Sequence, residues 1–71
     1  MTNVDLLETV IERSGLKKTF IAKSMGLSYQ GFLNKIRGEN EFKQGEIDSL
    51  SRILRLGPDE KEAIFFAHEV A

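Results

Sequence analysis

Two amide side chains, Gln30 and Asn34, lie four residues apart in a segment whose apolar residues recur with helical spacing. Side chains at this separation lie on the same face of a helix, one turn from each other. A glutamine or asparagine amide can form two hydrogen bonds with the N6 and N7 atoms of adenine in the major groove of DNA. Gln30 and Asn34 are therefore the first candidates for base contact. Tyr29 is a weaker candidate, because its ring could pack on the protein while its hydroxyl reaches a phosphate.

Positive charge is concentrated in one part of the chain. The 71 residues carry a net charge of −1, but residues 13–38 contain six Lys or Arg and no Asp or Glu. The remaining residues contain four basic and eleven acidic side chains. This asymmetry indicates a surface for an anionic partner, although a chance cluster of solvated charges would look the same. Contacts with DNA phosphates position a protein but do not read the base sequence. The candidates for phosphate contact are Lys17, Lys18, Thr19, Lys35, Arg37 and Lys43.

The composition argues against catalytic, metal-binding and membrane functions. The chain has no cysteine and one histidine, His68, which cannot build a structural zinc site alone. No nucleophile has an evident base beside it, so we predict no enzyme activity, no catalytic residue and no cofactor. The longest apolar run, residues 63–67, has five members, whereas a membrane span needs ~18 or more. The expectation is a soluble cytoplasmic domain with no membrane partner.

Five helices are predicted to position these side chains. Apolar residues recur every three or four positions, and strand-like alternation is absent. Thr2 or Asn3 can cap the first helix, Gly15 can end it, and Ser28 can cap the third. The short connections are normal for a single all-α domain over residues 1–71. The predicted helices span approximately residues 2–14, 18–25, 28–37, 44–54 and 58–70.

Two phenylalanines are assigned to helix faces by periodicity. In the second predicted helix, Phe20 shares a face with Ile21. In the fifth, Phe65 falls among charged residues on the polar face. An exposed phenylalanine suggests a contact with a partner, but Phe65 could equally cover a neighbouring helix. The core stripe predicted for the fifth helix is Ala63, Phe66, Ala67 and Val70.

The second and third predicted helices carry residues that a tight helix–turn–helix joint requires. Ala22 allows two helix backbones to approach closely, and Gly26 supplies a positive φ in the turn. Phe32 packs the third helix back on the second. Together with Ser28 and Gly38, this spacing resembles the phage repressor and Cro-type helix-turn-helix family. The resemblance covers nearly the whole chain and implies a five-helix DNA-binding domain.

The resemblance also implies a function. Members of the family regulate transcription by sequence-specific DNA binding, here in a phage lysis–lysogeny switch. The helix-turn-helix would span about residues 18–37, with the recognition helix, about 28–37, in the major groove. A double-stranded operator is the implied partner, and a homodimer on a two-fold operator is expected. Alignment with the family makes Ser28 and Tyr29 further candidates for base contact.

The chain departs from the family at three positions. Lys17 stands where a serine or threonine usually caps the second helix, and lysine cannot accept the amide hydrogen bond. Lys18 replaces a glutamine that helps to hold a phosphate, and it would meet a phosphate as a point charge. Lys35 replaces an apolar residue, and Ile36 supplies one a step later, which rotates the apolar face of the helix.

That rotation leaves two interpretations of the recognition helix. Both expose Gln30 and Asn34. By alignment, the outward residues are Ser28, Tyr29, Gln30, Leu33 and Asn34. By periodicity, Tyr29, Phe32, Leu33 and Ile36 share the packed face, and Gln30, Asn34 and Arg37 lie outside.

A protein-binding function is the alternative. The family resemblance includes small phage proteins that contact a repressor directly and block or alter its DNA binding. An antirepressor of this kind would use exposed apolar side chains, and the sequence offers Leu33 and Phe65. The phage repressor protein would then be the partner in place of, or in addition to, the operator.

Overall fold

The computed structural model describes residues 2–66, which form five helices and no strand. The predicted all-α class is confirmed, and no helix in this range is long and apolar enough to cross a membrane. The predicted continuation of the fifth helix through Ala67, His68 and Val70 lies outside the described residues. The helices are α1 (Val4–Ser14), α2 (Lys18–Ser24), α3 (Tyr29–Ile36), α4 (Gln44–Leu54) and α5 (Pro58–Phe65).

Caps and left-handed residues determine where the helices begin and end. Asn3, not Thr2, caps α1, because its Oδ1 accepts a hydrogen bond from the Leu6 N–H at 3.1 Å. Gly15 ends α1 with a φ of 74°, which glycine adopts without steric cost. At the end of α4, Arg55 takes this left-handed conformation with a φ of 55°. A side chain there costs about 1–2 kcal/mol, so the sequence did not predict this C-cap.

One apolar core lies between the helices, and α1 is at its centre. α1 contacts α3, α4 and α5, while α2 packs on α3. Each helix buries one stripe of its surface in this shared core. The largest fully buried side chains come from all five helices and are Leu7, Ile21, Phe32, Ile36, Leu50 and Ile64.

The packing of α5 contradicts the predicted exposure of Phe65. Phe65 is buried, and its ring meets that of Phe42 edge-on, with centroids 5.5 Å apart and planes at 84°. Ile64 is fully buried, whereas Ala63 and Phe66 are exposed. The prediction is wrong because Phe42 reaches α5 from the loop before α4, and periodicity within α5 cannot reveal that contact. Phe65 therefore stabilises the core and offers no surface to a partner.

The packed face of α2 also differs from the prediction. Ile21 and Ala22 are buried, and Met25 is half-buried, but Phe20 is exposed. α2 has only seven residues and packs on α3. Phe20 lies outside this contact, with 55% of the residue surface exposed.

Replacing Phe65 should destabilise the protein much more than replacing its neighbour. We expect Phe65→Ala to lower the free energy of unfolding by about 3–5 kcal/mol, since it leaves a cavity beside Phe42. Phe66→Ala, at an exposed site, should change it by about 0.5 kcal/mol or less. Urea denaturation followed by circular dichroism measures both. Equal losses would contradict the packing of α5 described above.

Candidate nucleic-acid interface

α2 and α3 are joined by a turn that brings the two helices into close contact. Ala22 is almost completely buried in α2, and its carbonyl oxygen accepts a hydrogen bond from the Leu27 N–H at 2.9 Å. Gly26 turns the chain with a φ of 73°, as predicted. Leu27 packs against the core, and Phe32 buries the inner face of α3. The opposite face of α3 is left open to solvent.

The outer face of α3 carries the amide pair predicted from the sequence. Gln30 Nε2 donates a hydrogen bond to Asn34 Oδ1 at 2.9 Å. Gln30 is exposed, whereas Asn34 is half-buried. The backbone carbonyl oxygen of Asn34 accepts from the backbone N–H groups of Glu39 and Asn40 at 2.9 and 3.3 Å, which fixes the Asn34 backbone at the end of α3. Its side-chain oxygen accepts the bond from Gln30 and so orients Gln30. The Oε1 of Gln30 has no protein partner within residues 2–66.

The first turn of α3 is shaped by a hydroxyl cap. Ser28 Oγ accepts a hydrogen bond from the Gly31 N–H at 3.0 Å, as the predicted N-cap requires. A Cβ atom at position 31 would lie only 2.9 Å from that oxygen. Gly31 therefore leaves room for the cap, which gives a structural reason for a glycine inside this helix. The cap uses one lone pair of Ser28 Oγ and leaves its O–H as the donor for any contact with a base.

Leu33 is packed against the core, which corrects its predicted exposure. It is buried with Phe32 and Ile36, as periodicity predicted and alignment did not. Tyr29 has 47% of its surface exposed, as alignment predicted and periodicity did not. The burial of Leu33 removes it from the surface available to a protein partner. Tyr29 remains beside Gln30 on the open side of α3.

Two lysines predicted to contact phosphates are paired with carboxylates instead. Lys18 Nζ lies 2.9 Å from Glu8 Oε1, and Lys35 Nζ lies 2.6 Å from Glu46 Oε1. The Lys35 side chain is only 13% exposed, so it is not a free surface cation. Local spacing does not reveal these pairs, because the acids lie ten and eleven residues away, on other helices. Within residues 13–38, acids from outside the segment thus cancel part of the positive charge.

The other candidates for phosphate contact are exposed. The three cations among them make no ion pair within the described part of the chain. Lys17 also makes no side-chain cap bond at the start of α2, which confirms the predicted loss of that cap. These exposed residues are Lys17, Thr19, Arg37 and Lys43.

Glu46 joins the end of α3 to the start of α4. Its Oε1 accepts from Lys35 Nζ and from the Lys43 backbone N–H at 2.8 Å. Partial burial by itself would raise the pKa of Glu46. The two hydrogen bonds and the neighbouring positive charges outweigh burial, so the pKa of Glu46 lies below its ordinary value. The carboxylate therefore stabilises the loop that follows the candidate interface.

The lowered pKa of Glu46 predicts a loss of stability in acid. A group with a lower pKa in the folded state stabilises the protein above its unfolded pKa, about 4.3 for glutamate. That contribution disappears as the pH falls through the folded value. Glu46→Gln should therefore lower stability at pH 7 and flatten the decline in unfolding free energy below about pH 4.5. Urea denaturation across this pH range tests it.

Glu41 supplies the matched control for this experiment. It is an exposed carboxylate in the loop that precedes α4, and it makes no ion pair within residues 2–66. We expect Glu41→Gln to retain the acid dependence of the original protein. The same flattening in both variants would refute the role assigned to Glu46.

Comparisons of the chain with protein-family models, with curated proteins and with solved structures gave no match.

Proposed function

We propose that the protein is a sequence-specific DNA-binding regulator in which α2, the turn and α3 form a helix-turn-helix of the phage repressor and Cro type. One observation carries the proposal: the Gln30–Asn34 amide pair lies on the open face of α3. α3 contains no acidic residue, so no carboxylate on this helix would repel DNA. The open face is of the kind that enters a major groove.

The hydrogen bond between the two amides suits Gln30 for reading an adenine. Recognition of adenine uses the amide oxygen as acceptor and one amide N–H as donor. Gln30 Nε2 carries two N–H groups and gives one to Asn34, so its oxygen and its second N–H are available. Asn34 then serves to position Gln30, and its own N–H groups could reach a neighbouring base. In this proposal Gln30 reads the base, with Tyr29 beside it.

Phosphate contacts are assigned to the exposed cations near both ends of the α2–α3 unit. Lys17 precedes α2, Arg37 follows α3, and Lys43 precedes α4. All three are exposed, and the hydroxyl of Thr19 is a fourth candidate. Lys18 and Lys35 are left out because their amino groups are paired with carboxylates. The proposal thus expects about three charged phosphate contacts per chain.

The biological setting of the proposal comes from the family resemblance. The resemblance supports a role in a phage lysis–lysogeny switch and a homodimer on a two-fold operator. Two copies would then occupy half-sites about 10 base pairs apart, one turn of the double helix. The alternative, a modulator that binds a repressor protein, loses both predicted contacts because Leu33 and Phe65 are buried. It would need a different exposed surface.

Selection from a pool of random DNA duplexes tests whether the protein reads sequence. We expect enrichment of a defined site containing A·T pairs, and an inverted repeat if two copies bind. Affinity for the selected duplex should fall with rising salt, with a slope of log K against log salt of about −3 per chain. Fluorescence anisotropy against unselected competitor DNA measures it. A folded protein that enriches nothing would refute the proposal.

Gln30→Ala tests the assignment of base contact. We expect a loss of about 1–3 kcal/mol on the selected duplex and little change on unselected DNA. Gln44→Ala is the matched control, because Gln44 makes a similar i, i+4 hydrogen bond, to Asp48 Oδ1 at 3.2 Å, on α4. That variant should bind like the original protein. An equal loss on both DNAs for Gln30→Ala would assign it to general attachment.

A further inference from the structure

A groove between the α1–α2 connection and the end of α4 has an apolar floor and a basic rim. We call it the α2–α4 groove. It has a volume of about 580 Å³ and opens to solvent. Its floor is formed by Leu16, Phe20, Ile53 and Leu54, and its rim carries Arg52 and Arg55. It shares no lining residue with the amide face of α3, so both surfaces could be occupied together.

The floor exposes apolar area in a concave shape. Phe20 is 55% exposed, the largest exposed fraction among the bulky apolar residues of the described chain. Leu16 and Ile53 beside it are only half-buried, so the exposed surface is continuous rather than a single side chain. Aromatic side chains at the centre of such surfaces contribute strongly to protein–protein binding. The shape and the aromatic residue indicate a protein occupant.

The positive charge of the rim indicates the charge of an occupant that would fit. Arg52 and Arg55 are exposed, and neither forms an ion pair within residues 2–66. No Asp or Glu lines the groove. A second copy of this chain, packed groove to groove about a two-fold axis, would bring four arginines together with no Asp or Glu in the lining of either groove. Like charges placed this way oppose association, so the groove is complementary to an acidic partner.

Duplex DNA fits the groove less well than a protein does. The arginines could meet phosphates, but Phe20 and Ile53 would then lie against a charged backbone that gives them no apolar cover. An amphipathic helix satisfies both features, because its apolar side chains at i, i+3 or i+4, and i+7 fill a groove while its polar side chains reach the rim.

We propose that the α2–α4 groove binds an acidic amphipathic helix of a partner protein, with Phe20 packed on its apolar stripe and Arg52 and Arg55 paired with its carboxylates. The site is separate from the proposed DNA-binding face. It offers the exposed apolar contact that Leu33 and Phe65 do not provide. It therefore stands or fails independently of DNA binding by α3.

The test uses the full chain and fluorescein-labelled designed helical peptides. Three acidic peptides carry Leu or Phe at i, i+3, i+4 and i+7 in different registers, with Glu at the flanking positions. Three partner peptides have Lys in place of every Glu. We expect at least one acidic peptide to bind saturably in fluorescence anisotropy, more weakly at high salt, and the lysine peptides not to bind. Amide chemical-shift changes should map to Leu16, Phe20, Ser24 and Ile53.

Variants then separate the apolar and the charged contributions. Phe20→Ala should weaken binding about tenfold or more, whereas Tyr29→Ala, which removes another exposed aromatic, should leave it unchanged. Arg55→Gly removes a rim charge at a position whose left-handed backbone suits glycine. It should weaken peptide binding while the protein stays folded. Arg37→Gln, which removes one exposed positive charge outside the groove, is the matched charge control and should leave peptide binding unchanged.

Several results would overturn the proposal. One is the absence of saturable binding by all acidic peptides up to about 1 mM, near the weak limit of specific association. Equal binding of the acidic and lysine peptides would remove the role of the arginines. Self-association that Phe20→Ala abolishes would assign the groove to a second copy. Loss of duplex DNA binding in Phe20→Ala and Arg55→Gly, with no peptide binding, would assign it to DNA.

Discussion

The structure depends on burial of the apolar faces of five short helices in one core. Helices of seven to eleven residues are not stable alone in water, so each needs its neighbours. The chain has no cysteine and thus no disulfide to stabilise it. The two ends of the described chain also meet, since the Asn3 N–H donates to the Ile64 carbonyl oxygen at 2.6 Å. Phe65 joins α5 to the loop before α4 by packing on Phe42. Both surfaces discussed above are what this packing leaves uncovered.

Ion pairs between helices modify the surface that the core presents. Glu8 pairs with Lys18, and Glu46 pairs with Lys35. An exposed pair adds little to stability, but the Lys35–Glu46 pair is mostly covered and also receives a backbone hydrogen bond. For function, the main consequence of these pairs is that they determine which lysines are free to bind an anion. Pairing removes two lysines within the α2–α3 unit, Lys18 and Lys35, from the charge available to an anion.

The two open surfaces differ in chemistry and therefore in the partners that suit them. The outer face of α3 presents an amide held in place by a second amide, which favours directional hydrogen bonds. The α2–α4 groove presents an apolar floor with arginines at its edge, which favours burial of side chains and a complementary charge. A small regulator with both surfaces could bind DNA and a protein at the same time. Such an arrangement would bring the two functions considered from the sequence into one molecule.

What the sequence determined is local. Helical spacing, Ser28 as a cap, Gly15 and Gly26 in left-handed turns, and the i, i+4 amide pair all depend on residues within one or two turns. The tertiary structure decided which side chains face a neighbour. Phe65 is buried because Phe42 comes from a different segment, and Lys18 and Lys35 are paired because acids come from other helices. The α2–α4 groove likewise joins side chains from separate segments.

The physical reason is that periodicity assigns faces to a helix but does not show which other segments cover them. Phe20 and Phe65 are both phenylalanines within short helices, and only packing leaves the first exposed and buries the second. Charge counted along a segment likewise omits carboxylates that folding brings near. The sequence by itself therefore determined the helices and the candidate base-reading amides. Only the tertiary structure decided which cations, and which apolar surface, are free for a partner.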